Sequence, residues 1–357
     1  MSRAFRAGLT ILLGVMALAL VANPVGAGES ITVVDNGGSV ADAHREAFHK
    51  PFTAKYNVRV VEDVFAQELA KIRSQVETGN LVWDVASVTA INEATGCQEG
   101  LFERIEWAKI LDAKDFEGVG GFGKCGVPES FVSGGLVYDG DKYKGENTPK
   151  SWADFWDVKK FPGKRGLLYR AEQTFEVALM ADGVAPKDAM RVLAAPGGPE
   201  RALKKLAELK PHIHWWKTGA ESMQLLLTGE VVMTYGWNGR VSAANKSNKR
   251  NLKIEFGGGH VSGSQYLTVM KGAKKRDLAM KYIEFALGPE PQAQMSRLSS
   301  FAPTNVQAYK LMSKDDIATL PHGHLHLASY QSGDLYIKFW LENGDELLQR
   351  FIKFAAQ

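Results

Sequence analysis

Short β-branched runs alternate with amphipathic segments along the first part of the chain. Three runs predict strands, at residues 31–34, 58–61 and 81–86. The segments between them, 41–56 and 67–78, carry apolar residues at helical spacing. This order predicts a parallel α/β sheet, in which ligands bind beyond the carboxyl ends of the strands. Residues that follow the first and third strands are therefore candidate ligand contacts: Gly38, Ser39, Ser87 and Thr89.

The middle of the chain shows the same alternation and predicts a second α/β unit. Predicted strands occupy residues 166–169, 231–235 and 264–270. Predicted helices lie between and after these strands, including 201–209 and 276–287. No Pro- or Ser-rich linker separates the two units. We therefore expect strands to cross between them.

Composition and charge exclude several classes of protein. The chain has 357 residues, 45% of them hydrophobic and 23% charged, which is typical of a soluble globular protein of about two domains. Lys and Arg total 43 and Asp and Glu total 40, so the formal net charge is +3. A balance this close to neutral gives no indication of a nucleic-acid partner.

Residues 1–27 have the pattern of a cleaved secretory signal peptide. Arg3 and Arg6 precede the apolar run 11–22, which is shorter than the ~20 residues needed to span a bilayer. Pro24 interrupts the run, and small residues up to Ala27 offer a cleavage site. We therefore expect a mature protein that begins near Gly28 and is exported from the cytoplasm.

Export changes the interpretation of the two cysteines, Cys97 and Cys125. An even number of cysteines in an oxidising compartment favours a disulfide. The chain-entropy estimate for closing such a loop is about 3–4 kcal/mol. The alternative is two separate buried thiols.

The sequence lacks the common catalytic and nucleotide-binding motifs. It contains no Walker phosphate loop, no G-x-G-x-x-G, no G-x-S-x-G elbow and no H-E-x-x-H motif. His322, His324 and His326 form a metal-like cluster, but no acid or cysteine lies near it. We therefore expect a binding protein without a cofactor or metal rather than an enzyme.

Several segments, in order, resemble the periplasmic solute-binding proteins of ABC importers, and among them the spermidine/putrescine-binding branch. Residues 149–155 are similar to the family pattern P-x-S/T-W-x-D-L, and residues 271–285 to K-G-A-x-N followed by F-I-N-F. Further segments that resemble family patterns are residues 52–60, with Asn57 in place of Gly, and residues 81–87, 127–138, 288–293 and 302–305.

The resemblance implies a type II periplasmic-binding-protein fold, with two α/β lobes that close over one solute by hinge motion. Each lobe is expected to hold a mixed, mostly parallel sheet flanked by helices. The implied N-terminal lobe comprises residues 28–131 and 264–304, and the C-terminal lobe residues 132–263 and 305–357. The implied partners are a small solute and the permease subunits of an ABC transporter in the inner membrane, and the protein itself is expected to be a monomer.

The chain departs from the polyamine-binding pattern where that pattern carries acids. The positions of the three amine-pairing carboxylates correspond to Arg170, Gln173 and Gln265. A buried ammonium without a carboxylate is costly, whereas an arginine suits a carboxylate. These changes predict a small carboxylate-bearing solute, such as an organic acid or an ω-amino acid like γ-aminobutyrate. Glu172 would add an amine partner if it points inward, and Arg170 could instead be a surface residue.

Four further residues are candidate ligand contacts. The resemblance implies that Trp237 stacks on the aliphatic part of the ligand and that Ser133 lies on a crossing segment near it. Arg240 is a second candidate anion contact, and Tyr266 lies near the expected hinge. The alternatives to a carboxylate receptor are a polyamine receptor, then a ferric-ion receptor, and more remotely a secreted hydrolase.

Overall fold

A computed structural model describes residues 29–65, 69–116, 122–318, 320–321 and 323–356, without the side chain of Ser39. The predicted signal peptide and His322 therefore lie outside the described residues. Among the described residues, no helix is long and apolar enough to cross a membrane.

Strands and helices alternate along the described chain. The strands are β1 (Ser30–Asp35), β2 (Arg59–Val64), β3 (Val85–Thr89), β4 (Gly126–Asp139), β5 (Arg165–Leu168), β6 (Ile213–Trp216), β7 (Met233–Trp237), β8 (Leu252–Glu255), β9 (His260–Val269), β10 (Ala302–Pro303) and β11 (Ala328–Tyr330). The α-helices are α1 (Gly38–His44), α2 (Lys50–Tyr56), α3 (Leu69–Thr78), α4 (Ala90–Gln98), α5 (Trp152–Trp156), α6 (Ala171–Ala181), α7 (Ala189–Leu193), α8 (Gly198–Leu209), α9 (Gly219–Thr228), α10 (Asn238–Asn248), α11 (Arg276–Ala286), α12 (Pro289–Ser299), α13 (Lys314–Ile317) and α14 (Gly333–Ala356). A π-helical segment, Arg45–His49, joins α1 to α2.

The strands form a mixed sheet in the order β2-β1-β3-β9-β4-β7-β5-β6. Strands β1, β2 and β3 pair in parallel at one end, and β5, β6 and β7 pair in parallel at the other. The long strands β4 and β9 pair antiparallel with each other and join the two ends. This arrangement is the two-lobed α/β fold that the sequence predicts.

The strand β4 spans the change from one lobe to the other. Its first half pairs with β9 from Gly126 onward, and its second half pairs with β7 from Gly134 to Tyr138. One hydrophobic core draws its buried residues from 136–261 and 336–351, and two others draw theirs from 31–131 and 266–302. The exact lobe boundaries given above stay a prediction.

The third strand begins later than the β-branched pattern predicts. The prediction was residues 81–86, but β3 covers Val85–Thr89. Ser87 is therefore inside the sheet instead of in a loop, and Thr89 is its last residue. Thr89 also caps α4, because its side chain accepts a hydrogen bond from the Asn92 amide.

Candidate functional site

A cleft of about 930 Å³ is lined by side chains from both ends of the sheet. One wall, from the β1–β3 end and the segment after α12, includes Asn36, Thr89, Gln265 and Phe301. The other wall includes Arg170, Glu172, Gln173, Trp237, Arg240, Lys246, Gln331 and Tyr336. Six of the sequence-predicted residues line this cleft: Thr89, Arg170, Gln173, Trp237, Arg240 and Gln265.

Glu172 provides a carboxylate on the cleft wall. Tyr336 donates its hydroxyl hydrogen bond to Glu172 Oε1, and Gln331 Nε2 donates to the same oxygen at 3.2 Å. Arg170 Nη1 lies 3.7 Å from Glu172 Oε2, and the Arg170 side chain is 53% exposed. The cleft therefore holds an oriented negative charge that is only loosely paired with its neighbouring arginine.

A backbone distortion brings Gln173 into the same wall. Glu172 has ψ of 138° and Gln173 has φ of 71°, so the backbone of α6 is not helical at these two residues. Backbone of this kind in a residue other than glycine costs about 1–3 kcal/mol and is found mostly at functional sites. The Tyr235 hydroxyl donates to Gln173 Oε1 at 3.0 Å, and Gln173 Nε2 donates to Gln331 Oε1 at 3.1 Å. These bonds hold the wall together from three separate elements.

Trp237 presents its indole ring at the end of β7. The ring lies edge-on to Trp216, with centroids 5.3 Å apart. Gly219 makes room for it, because a Cβ at that position would lie 2.9 Å from the Trp237 ring and 3.0 Å from Arg240 Cγ. The Trp237 indole and the Arg240 side chain thus both pack against the backbone of Gly219.

Helix α10 contributes the positive side of the cleft. Arg240 lies in its first turn and Lys246 lies near its end, and both line the cleft. Neither side chain forms a salt bridge with any residue that the structure describes. A carboxylate on a bound solute would be a partner for these cations.

Gln265 supplies an acceptor from the opposite wall. Its amide oxygen is buried and has no hydrogen-bond partner among the described residues. A buried polar atom without a partner is costly, so the position favours a donor group on a bound solute.

Four sequence-predicted contacts are not brought to the cleft. Ser87 donates its hydroxyl to Glu129 Oε1 at 3.0 Å and is 1% exposed. Ser133 lies 2.5 Å from Ser262, oxygen to oxygen, and is fully buried. Tyr266 packs in the core of the β3 side. Side chains alternate across a strand, so Tyr266 faces away from the cleft when its neighbour Gln265 faces it. Gly38 is the first residue of α1 and is not among the residues that line the cleft, so its contact with a ligand stays a prediction.

A buried polar cluster supports the wall at Asn36. His44 Nδ1 lies 2.7 Å from Asp35 Oδ2, and His44 Nε2 lies 3.1 Å from Glu129 Oε1. Burial alone would lower the pKa of His44, but the charges and hydrogen bonds of Glu129 and Asp35 outweigh it and raise the pKa to about 10. Asp35 also accepts from the Gly37 amide at 2.8 Å, which fixes the turn that carries Asn36.

The structure joins Cys97 to Cys125 in a disulfide with a Cα–Cα distance of 5.6 Å. The bridge links the end of α4 to the residue before β4. Thr89 starts α4 and lines the cleft, so the bridge anchors the element behind that wall.

Several lining residues were missed by sequence reasoning. Gln331 and Tyr336 lie in the C-terminal segment, about 160 residues after Glu172, which their side chains contact. The spacing Arg240, Ala243, Lys246 and Ser247 is the one local signal that could have identified the face of α10.

The chain is similar to known solute-binding proteins. A family described as bacterial extracellular solute-binding protein matches residues 47–323. A γ-aminobutyric acid-binding protein of Pseudomonas aeruginosa is 39% identical, over 97% of this chain and 96% of its own length. A spermidine/putrescine-binding periplasmic protein of Haemophilus influenzae is 24% identical, over 83% of each chain.

The fold has a close counterpart among solved structures. A GABA receptor structure superposes with a TM-score of 0.76 and 28% identity, covering 92% of this chain and 98% of the other.

Proposed function

The chain belongs to the bacterial extracellular solute-binding protein family, and we propose that its cleft captures a small ω-amino acid, such as γ-aminobutyrate, for an ABC importer. The observation that carries the proposal is the presence of opposite charges in one cleft. Glu172 lies on one part of the wall, and Arg240 and Lys246 lie on α10.

A zwitterion satisfies both sets of groups. Its carboxylate would accept charge-assisted hydrogen bonds from Arg240, with Arg170 as a further cation. Its ammonium group would donate to Glu172, and the acceptor of Gln265 suits the same kind of group. The Trp237 ring would cover the short apolar stem between the two charges.

A polyamine fits the cleft less well, although relatives such as the Haemophilus influenzae protein carry that name. Both ends of a diamine are cationic, and the described lining offers one carboxylate against Arg170, Arg240 and Lys246. Like charges repel strongly in a site from which water has been removed. This charge balance supports the amino acid over the polyamine.

Because residues of both lobes line the cleft, a bound solute is expected to draw the two lobes together. Contacts made by both walls favour the closed state, since a ligand shifts an equilibrium by its differential affinity for the two states. In this proposal the mature protein is a monomer in the periplasm, its signal peptide is removed, and it delivers the solute to inner-membrane permease subunits without catalysing a reaction.

Thermal unfolding of the mature protein tests this proposal. A ligand that binds only the folded state stabilises it, by about 2.7 kcal/mol when the free ligand concentration is a hundred times Kd, and the melting temperature rises accordingly. We expect γ-aminobutyrate to raise it more than putrescine or spermidine at equal concentration. A larger shift with a polyamine would restore the polyamine alternative. Small-angle scattering with the best ligand should show a smaller radius of gyration.

A further inference from the structure

Glu176 is an acid that is fully buried beneath the cleft wall. It lies on α6, is 0% exposed, and neither of its carboxylate oxygens has a hydrogen-bond partner among the described residues. Burial raises the pKa of Glu176 to about 8, with a smaller contribution from the charge of Glu172, and the nearby backbone amides of Glu176 and Gln173 only partly offset this effect. The acid is therefore held in its neutral form at neutral pH.

Glu176 follows the distorted start of α6 closely along the chain. Glu172 precedes it by four residues and Gln173 by three, and both line the cleft. Burial raises the pKa of the Tyr235 hydroxyl, and the charge of Glu176 adds to that effect. Burial and then the charge of Glu172 raise the pKa of the Tyr336 hydroxyl, with a smaller contribution from Glu176. Glu176 is thus a buried acid close enough to Glu172, to which we assign the ligand amine, for their charges to interact.

Among the described residues, the other groups around α6 form no ion pair with Glu176. His260 on β9 is buried and has a pKa lowered to about 4, so it is neutral. Tyr235 on β7 and Tyr336 on α14 stay protonated. Several charged side chains on the remaining neighbours have other partners: Arg165 of β5 donates to backbone carbonyls, Asp154 of α5 pairs with Lys160, Arg191 of α7 with Asp188, Arg201 of α8 with Asp182, Lys205 of α8 with Glu208, Lys338 of α14 with Glu342, and Arg350 of α14 with Glu200. Arg170 is close to Glu172 and half exposed.

We propose that Glu176 gives up its proton when the ammonium group of a solute binds beside Glu172, so that uptake of an amine-bearing solute by the cleft releases a proton to solvent. This inference rests on the proposed function. The bound cation neutralises Glu172, whose charge opposes ionisation of Glu176, and adds a positive charge that favours it. A deprotonated Glu176 in turn places a second negative charge near the ammonium group.

The consequence is a link between affinity and pH. Because the complex holds fewer protons than the free receptor, affinity for the amine-bearing solute rises as pH increases toward about 8 and then levels off. The solute itself does not titrate in this range, since ordinary pKa values are about 4 for its carboxyl group and about 10.4 for its amine.

Calorimetry with γ-aminobutyrate tests the inference. Titrations near pH 7.5 in buffers with different ionisation enthalpies give the number of protons released per ligand. We expect release of up to one proton from the wild type and from the control Glu77→Gln, an exposed acid on α3. We expect no release from Glu176→Gln, which keeps the side-chain volume without the titrating group.

Other results of the calorimetry would overturn either the proton-release inference or the proposed function. Binding with heats that do not depend on the buffer overturns the inference alone, and so does equal proton release by Glu176→Gln. Absence of γ-aminobutyrate binding overturns the proposed function and this inference with it. A second measurement needs no variant: wild-type proton release should vanish near pH 5.5, where Glu176 keeps its proton in both states, and release that persists there contradicts its assignment to Glu176.

Discussion

The Arg170 guanidinium lies 3.7 Å from the Glu172 carboxylate on the cleft wall. Sequence reasoning made Arg170 the principal anion contact of the cleft. The ion pair changes that expectation, because part of the positive charge of Arg170 is already directed at Glu172. Arg240 forms no salt bridge with the described residues and lies beside Trp237. We therefore assign the larger share of carboxylate binding to Arg240.

Arg240→Ala is expected to weaken binding of γ-aminobutyrate more than Arg170→Ala does. Hydrogen bonds to charged groups contribute about 1.5–3 kcal/mol, which corresponds to a loss of roughly tenfold to a hundredfold in affinity. Calorimetry of the two variants measures the difference, and Arg191→Ala on the exposed surface of α7 is the control. A larger loss with Arg170→Ala would return the principal role to that residue.

Gly219→Ala should reduce affinity by displacing side chains of the cleft. The added Cβ would lie 2.9 Å from the Trp237 ring and 3.0 Å from Arg240 Cγ, and overpacking of this kind costs about 1–3 kcal/mol. Gly344→Ala is the matched control, because the nearest atom to its Cβ is at an ordinary 3.8 Å. The control should bind normally and unfold at the same or a higher temperature. Unchanged affinity and tryptophan fluorescence in Gly219→Ala would show that the packing beneath Trp237 does not control the site.

The fold was predictable from the sequence because its signals are local. Residues 31–34 fall within β1, and the predicted strand at residues 231–235 overlaps β7. Side-chain direction was less predictable, since a shift of one residue along β9 exchanges Tyr266 for Gln265 on the cleft face. The contacts of Gln331 and Tyr336 with Glu172 depend on how the C-terminal segment packs, which no short pattern describes.

Glu176→Gln should stabilise the protein at alkaline pH and leave it nearly unchanged in acid. The folded-state pKa of Glu176 is raised from 4.5 to about 8, so the wild type loses stability as pH rises between those values. A shift of this size corresponds to at most about 5 kcal/mol. Urea unfolding of wild type and variant at several pH values from about 4 to 9 measures the difference. A stability difference that does not grow with pH would contradict the titration of Glu176.

Protein prepared from the periplasm should contain the Cys97–Cys125 disulfide. Alkylation without reductant should leave the mass unchanged, whereas reduction should allow both cysteines to react. Reduction is expected to lower the free energy of unfolding by about 3–4 kcal/mol in the chain-entropy estimate. Two thiols that react without reductant would exclude the bridge in the secreted protein.

The central claim is that the cleft recognises a carboxylate and an ammonium group on one small molecule. Calorimetric titration of the mature wild-type protein with γ-aminobutyrate, butyrate and putrescine tests it, because butyrate lacks the ammonium group and putrescine carries a second ammonium group in place of the carboxylate. Because each charged contact contributes about 1.5–3 kcal/mol, γ-aminobutyrate should bind roughly tenfold to a hundredfold more tightly than either analogue. Putrescine binding as tightly as γ-aminobutyrate, or butyrate binding equally well, would contradict the account.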